Sequence, residues 1–219
     1  MEGQLCSIME RRASAYGLFA RLFASELDET LLTKLSRAAE QERSGLDEGQ
    51  GVMASCLVEM ASDLASSRRE LAVDFAQLFL IHGAHETAAP YPFESAYASP
   101  EGILTSDARM DFKRRYRSFG LVTSEGWNVG EDHIALELQY MQYLARSVCN
   151  ALGEGDDQAA DSAFGESLSF MRDHIQKWVP VFCARMRTRA RTVFYQGLAV
   201  ALASYVEADA EFLADQWEE

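Results

Sequence analysis

Two titratable side chains, His133 and Glu137, lie four residues apart in a stretch that could support acid–base or metal chemistry. In a helix, this spacing places both on one face, beside the apolar stripe that begins with Ile134 and Leu138. Asp132, one residue earlier, suits the first turn of such a helix, where a carboxylate typically contributes about 0.3–1 kcal/mol to stability. Without further ligands, the same pattern is typical of a helix N-terminus with a partly buried, hydrogen-bonded histidine.

A metal or catalytic site would need more ligands than this pair. His174 could join His133 and Glu137 in a helical bundle, but di-metal bundles use Glu-x-x-His pairs, and the sequence contains none. His82 and His85 are close in sequence but have no clustered partners. We therefore predict no catalytic residue, no metal and no cofactor, and we keep a helical metalloenzyme as an alternative.

The elements that must position these side chains all have the pattern of helices. Apolar residues recur at helical spacing, and only 4 prolines and 14 glycines interrupt them. No segment alternates apolar and polar residues over a strand's length, so we predict an all-α fold of about nine to eleven helices without a sheet. Arg11 and Arg12 precede a short apolar run, as in a twin-arginine export signal, but Arg21 interrupts that run. We therefore assign this stretch to the first helix.

The segment from His82 to Ser106 differs, because three of the four prolines lie in it. A residue before proline favours an extended backbone, so this segment cannot be one helix, and its aromatic rings argue against disorder. We predict a single helical domain, 1–219, in which a hinge loop, 82–106, joins an N-terminal helical group, 1–81, to a C-terminal group, 107–219. Such a hinge permits either a monomer or a domain-exchanged dimer.

Two residues predict helix ends in the C-terminal half. Gly120 is a natural C-cap for a helix over Ser106 to Ser118, because glycine accepts the left-handed conformation found there. Pro180 lacks a backbone donor and is expected to break or kink the helix that carries Ile175.

The charge balance bears on partners and location. The chain has 34 acidic and 20 basic residues, a net charge of −14, which argues against nucleic acid and favours a basic peptide or protein surface. The four cysteines form no C-x-x-C pair and have the pattern of small buried residues in a reducing compartment. No apolar run reaches the ~20 residues of a membrane span, so we predict a cytoplasmic protein without stable membrane insertion.

Five stretches follow one another in an order that resembles a known family. They are Leu78-Phe79, Pro92–Tyr97, Asp132–Met141, His174–Phe182 and Phe194-Tyr195. Together they resemble the TorD/DmsD group of redox-enzyme maturation chaperones, from the fourth helix to the C-terminus. One departure is Gly130, which stands where these chaperones often have proline, two residues before the Asp-His pair.

The resemblance implies an all-α protein that does no chemistry of its own. It implies binding of the twin-arginine leader and the apo form of a molybdenum-cofactor oxidoreductase catalytic subunit, support of cofactor insertion, and retention of that subunit in the cytoplasm until then. An alternative with the same architecture is a nitrate-reductase-type assembly chaperone, whose catalytic subunit is not exported.

The same resemblance implies where a leader would bind. An apolar groove containing Leu78, Phe79 and Phe93 would hold the apolar part of the leader. Carboxylates such as Asp132, Glu137 and Glu94 would face its arginines. His133 would orient Asp132 or tune affinity with pH. The peptide-binding residues so implied are Leu78, Phe79, Pro92, Phe93, Glu94, Ser95, Asp132, His133 and Glu137.

Overall fold

A computed structural model describes residues 2–41, 55–81, 88–97, 106–122 and 130–218. Almost all of these residues are helical, and the only β-type pairing among them is an isolated bridge between Phe93 and His133. The predicted all-α fold is therefore confirmed. None of the helices in this part of the chain combines enough length with enough apolar character to cross a membrane.

The described residues contain the following α-helices. Their bounds are Glu2–Ala24 (α1), Glu29–Gln41 (α2), 55–60 (α3), Leu64–Phe75 (α4), Ser106–Ser118 (α5), Ile134–Glu154 (α6), Asp157–Phe170 (α7), Gln176–Arg189 (α8) and Val193–Glu218 (α9). Short 3-10 turns lie at Ala61–Asp63 and Glu94–Ala96, and π-helical turns lie at Ala76–Leu80 and Met171–Ile175.

Capping groups explain several helix ends. Gly120 follows the end of α5 with a φ of 71°, so the predicted cap is confirmed. Helix α6 begins at Ile134, where the Nδ1 atom of His133 accepts a hydrogen bond of 3.1 Å from the backbone N–H of Ala135. The expectation that Asp132 lies in the first turn of this helix is wrong, because the imidazole takes the capping role one residue later.

Pro180 does not break its helix, so the predicted break is wrong, whereas the alternative of a kink stays a prediction. Helix α8 runs through Pro180, and the π-helical turn Met171–Ile175 lies directly before it. A donor at position 180 would pair with the carbonyl of Gln176, the first residue of α8. The missing hydrogen bond therefore falls at the junction of two helix types, where the backbone pairing already changes.

The chain divides into two compact units, each made of separate stretches. The first comprises Met1–Ala24, Pro92–Trp178 and Val206–Glu219, and the second comprises Ser25–Tyr91 and Val179–Tyr205. The predicted sequential grouping around a hinge at 82–106 stays a prediction. Residues 82–87, with His82 and His85, and residues 98–105 lie outside the described part.

In the first unit, α1 packs along α6, and the C-terminal half of α9 lies against α1. Arg12 forms a buried ion pair with Asp209, with Nε to Oδ1 at 2.5 Å and a second bond to Oδ2 at 2.9 Å. The hydroxyl of Tyr16 donates to the same carboxylate. Arg12, the second arginine of the Arg11-Arg12 pair, is thus a buried residue that links two helices of the first unit.

A disulfide between Cys6 and Cys149 joins α1 to α6, with their Cα atoms 4.9 Å apart. The prediction of four unpaired cysteines is wrong for these two, because the sequence gives no sign that α1 packs against α6 at this position. Cys56 and Cys183 are free, and Cys183 is buried as predicted. The carboxylate of Glu10 lies within 4.8 Å of both bonded sulfurs.

In the second unit, Asp74 holds the start of α9. Its carboxylate accepts hydrogen bonds from the backbone N–H groups of Arg191 and Thr192 and from the hydroxyl of Thr192. Leu78 and Phe79 are buried in this unit, and the ring of Phe79 packs against aromatic neighbours. These neighbours are Phe75, Phe182 and Tyr195.

Candidate functional site

The segment Pro92–Tyr97 lies against the residues that lead into α6. The backbone N–H of Ile134 donates to the carbonyl of Pro92 at 2.9 Å, and the N–H of Glu94 donates to the carbonyl of Asp132 at 3.1 Å. These bonds flank the isolated bridge described above and hold two stretches, far apart in sequence, in one place.

Side chains strengthen this contact. The Oδ2 atom of Asp132 accepts a hydrogen bond of 3.0 Å from the backbone N–H of Ser95, and Asp132 is only 2% exposed. The rings of Phe93 and His133 meet edge to face at 5.1 Å. Asp132 therefore binds the loop backbone and not solvent.

Gly130 fits this arrangement for a steric reason. A Cβ atom at position 130 would lie 2.9 Å from Oδ1 of Asp132 and 3.5 Å from the ring of Phe93. Distances this short to a carboxylate require the side chain to move. The glycine that replaces the proline often found in the resembling chaperones thus permits the close approach of Asp132.

Glu137 lies beneath the same contact and is fully buried. Its Oε2 atom accepts a hydrogen bond of 3.0 Å from the indole N–H of Trp178, whereas Oε1 has no hydrogen-bond partner among the described residues. Burial raises the pKa of Glu137 well above its usual value, and the nearby carboxylates of Glu94 and Asp132 raise it further. The neutral carboxyl is therefore the favoured form.

His174 connects the loop to α5. Its Nδ1 atom lies 2.8 Å from Oε2 of Glu94, and its Nε2 atom lies 2.9 Å from Oδ2 of Asp111. Burial alone would lower the pKa of His174, but hydrogen bonds to the two carboxylates outweigh burial and raise it. The charged imidazolium, which donates to both carboxylates, is thereby favoured.

Asp111 and Arg115 extend the network along α5. Burial opposes ionisation of Asp111, but hydrogen bonds from Arg115 and His174 lower its pKa to about 2. Arg115 also bonds to Glu166 at 3.2 Å and to Asp173 at 2.8 Å. The guanidinium of Arg115 therefore bonds to the carboxylates of Asp111, Glu166 and Asp173.

The pKa of His133 is shifted downwards, whereas that of His174 is shifted upwards. Burial lowers its pKa to about 4, despite the charge of Asp132, so the ring is neutral near pH 7. Because its Nδ1 atom accepts from Ala135, the proton lies on Nε2. This state favours the orienting role of His133 over tuning of affinity near neutral pH.

The structure brings together seven of the nine peptide-binding residues implied by the sequence. These are Pro92, Phe93, Glu94, Ser95, Asp132, His133 and Glu137. Within this set only Phe93 is more than marginally exposed, so the set forms an interior contact rather than an open surface. Leu78 and Phe79 lie in the other compact unit, and a groove shared with Phe93 stays a prediction.

Several residues of this site were not predicted from the sequence to be site residues. His174 and Trp178 belong to a stretch that the family resemblance includes, but no spacing rule linked them to Glu94 or Glu137. Asp111 and Arg115 gave no signal beyond an acidic and a basic residue at i and i+4, which is common on exposed helices.

A pocket of about 510 Å³ opens beside this network. It is lined by charged residues from α5 and from the stretch around His174, together with two aromatic rings. The lining comprises Glu94, Tyr97, Asp107, Ala108, Asp111, Arg115, Asp173, His174, Lys177 and Trp178.

The arrangement can position a loop and present charged groups, but it does not assemble a metal centre. Among the described residues, the group of possible metal ligands that lies within 4.8 Å is Cys6, Glu10 and Cys149, whose two sulfurs are joined. The carboxylates and imidazoles of the network bond to one another, to the backbone, to Arg115 or to the indole of Trp178, which suits a binding module.

Comparisons with known proteins agree with this view of the chain. A family described as "Nitrate reductase delta subunit" matches residues 24–184. The chain is 31% identical over 205 residues to proteins named "Chaperone protein TorD" from Escherichia coli O7:K1 (strain IAI39 / ExPEC), Escherichia coli (strain K12 / DH10B) and Shigella boydii serotype 18. Each alignment covers 90% of this chain and 94% of the relative.

Proposed function

This chain belongs to the nitrate reductase delta subunit family, and on that premise we propose that it is an assembly chaperone for a molybdenum-cofactor oxidoreductase. The observation that carries this proposal is the 31% identity, over 90% of the chain, to proteins named as TorD chaperones. A chaperone is a binding protein, so we assign the chain no reaction. The resemblance to the TorD/DmsD group expected from the sequence is confirmed.

The finer proposal concerns the partner. The protein binds the twin-arginine leader and the apo form of the catalytic subunit, supports cofactor insertion, and holds back export in the cytoplasm. A leader combines a basic stretch with an apolar one, and an acidic protein with a net charge of −14 attracts the basic stretch. This complementarity supports the leader as the ligand.

The geometry supports distinct roles for the predicted site residues. Phe93 is the residue of the loop set that offers apolar surface, whereas Asp132 and His133 position the loop through the contacts described above. In the second unit, Leu80 and Ile81, directly after Leu78-Phe79, are 65% and 69% exposed. Each of these apolar regions, taken by itself, is a candidate to bind the apolar part of the leader.

A second candidate function is favoured by the family description. A nitrate-reductase-type chaperone would bind a catalytic subunit that carries no export leader, and it would use the same helical fold. The two functions differ in whether the leader itself is the ligand.

The test is to purify the protein with its native partner, identify the partner by mass spectrometry, and titrate a synthetic peptide of its N-terminus. Capture of an oxidoreductase subunit whose twin-arginine leader binds alone supports the main proposal. Capture of a subunit without a leader supports the nitrate-reductase-type function. Capture of neither would overturn both.

A further inference from the structure

The carboxylates expected to face leader arginines already have partners inside the protein. Asp132 accepts from the backbone of Ser95, and Glu94 bonds to His174. Glu137 is buried, and its neutral form is favoured. All three side chains are buried, so recognition of an arginine in this structure requires carboxylates that are exposed to solvent.

The pocket beside the network supplies them. Asp107, in the first turn of α5, is exposed and forms no hydrogen bond or ion pair with any described residue. Asp173 has a side chain that is 42% exposed. Burial opposes its ionisation, but hydrogen bonds from Ser169 and Arg115, with the charge of Arg115, lower its pKa. Both carboxylates are thus reachable from solvent, and the ionised form of Asp173 is favoured.

The walls have a surplus of negative charge. Four carboxylates line the pocket, from Glu94, Asp107, Asp111 and Asp173, against the two basic side chains of Arg115 and Lys177 and the imidazole of His174. The guanidinium of Arg115 already bonds to two of these carboxylates, on Asp111 and Asp173. These two carboxylates thus already pair with a guanidinium of the chain itself.

The aromatic side of the pocket suits the same group. The ring of Tyr97 packs against Trp178 with centroids 5.3 Å apart and an interplanar angle of 35°. A planar guanidinium stacks on aromatic rings and pairs with carboxylates in bidentate geometry, whereas an ammonium group does neither as well. Carboxylates beside a ring thus favour arginine over lysine.

We propose that this pocket receives the guanidinium of a leader arginine, with Asp107 and Asp173 as the pairing carboxylates and Tyr97 as the stacking ring. The proposal rests on the proposed function, because the leader supplies the arginine. It places charge recognition next to the Pro92–Tyr97 segment, which contributes Tyr97 and Glu94 to the lining.

The first experiment tests the pocket without a leader. N-acetylarginine amide and N-acetyllysine amide are titrated into the protein, and the indole N–H signal of Trp178 is followed by NMR after assignment by replacement of the other two tryptophans. The arginine compound is expected to shift this signal more than the lysine compound. Asp107→Asn and Asp173→Asn should each weaken that binding about fivefold, which corresponds to about 1 kcal/mol, because each removes the charge of one exposed ion pair.

Asp157→Asn is the matched control, because Asp157 is also an exposed carboxylate in the first turn of a helix. It should bind like the parent protein, and thermal melts establish that all three variants are folded. Equal shifts with both compounds, or parent-like binding by both pocket variants, would overturn the proposal.

The second experiment uses a synthetic twin-arginine leader peptide and its di-lysine version. The parent protein should prefer the di-arginine peptide, and Asp107→Asn should remove that preference while apolar binding persists. If the parent binds the leader and both pocket variants bind it equally well, the pocket proposal fails and the proposed function stands. If the arginine compound binds in the pocket but no leader peptide binds, the proposed function fails and the pocket stands.

Discussion

At the scale of single residues, Asp132 shows how burial changes the role of a side chain. A first-turn carboxylate contributes about 0.3–1 kcal/mol, but Asp132 precedes the helix and binds the backbone of Ser95. We expect Asp132→Ala to lower the free energy of unfolding by about 1–3 kcal/mol, because a buried N–H loses its acceptor. Urea denaturation measures this change.

The control for Asp132 is Asp161→Ala, which removes an exposed carboxylate from α7 of the same unit. This variant should unfold within about 0.5 kcal/mol of the parent. If both variants unfold alike, Asp132 is not a structural residue of the loop contact, and any loss of leader binding in Asp132→Ala would report direct contact.

Glu137 predicts a dependence of stability on pH. Its pKa is raised in the folded protein above the usual 4.5, so its contribution to stability is complete below pH 4.5 and is lost as the pH rises towards the folded-state pKa. Glu137→Gln keeps an acceptor for the indole of Trp178 and cannot ionise. The stability of this variant relative to the parent should therefore increase from pH 5 to pH 8, measured by thermal melts.

Glu154→Gln serves as the comparison, because Glu154 is exposed at the end of α6. Its stability should keep a nearly constant offset from the parent over the same range. Parallel pH profiles for the parent and Glu137→Gln would show that Glu137 is ionised at neutral pH and would remove the argument for its neutral form.

At the scale of helices, adjacent arginines on α1 provide a matched pair. Arg12 is buried against Asp209 of α9, whereas Arg11 is exposed. Arg12→Met should cost about 3–5 kcal/mol in unfolding free energy, because it leaves the buried carboxylate without its counter-charge. Arg11→Met should change it by less than about 0.5 kcal/mol. Denaturant unfolding compares the two.

The double variant Arg12→Met with Asp209→Leu tests whether the cost of Arg12→Met comes from the carboxylate of Asp209 that it leaves unpaired. Replacing both partners with apolar side chains should recover much of the loss, since no uncompensated charge then remains. Equal costs for Arg11→Met and Arg12→Met would contradict the assignment of Arg12 to the interior of the first unit.

Helices also show what the sequence could and could not predict. The period of apolar residues predicted the all-α class, and Gly120 predicted the end of α5, because both signals are local. The start of α6 was predicted wrongly, since histidine is not a common cap. Pro180 was predicted to break or kink a helix, and the break is absent. The π-helical turn beside it leaves no pattern in the sequence from which this could be predicted. Local signals thus predict elements better than their exact bounds.

At the scale of the whole chain, several contacts that the sequence did not predict join distant segments. The Cys6–Cys149 disulfide links residues 143 positions apart. The bonds that occupy Glu94 and Asp132 come from His174 and Ser95. The family resemblance could group these stretches, but only packing decides whether a carboxylate faces solvent or another part of the chain.

The net charge of −14 gives the last prediction, which concerns leader binding as a whole. If charge steers a basic leader to this protein, affinity for a twin-arginine peptide should fall as salt rises from about 50 to 300 mM, because the screening length shortens from more than 10 Å to less than 8 Å. Most of this loss in affinity should come from a slower association rate, since long-range attraction acts before contact.

A peptide with both arginines replaced by glutamine should bind more weakly at low salt and show a shallower salt dependence, because its apolar contacts are not screened. Stopped-flow fluorescence of labelled peptides measures both rates, and equal slopes for the two peptides would show that the charge of this protein does not guide leader recognition.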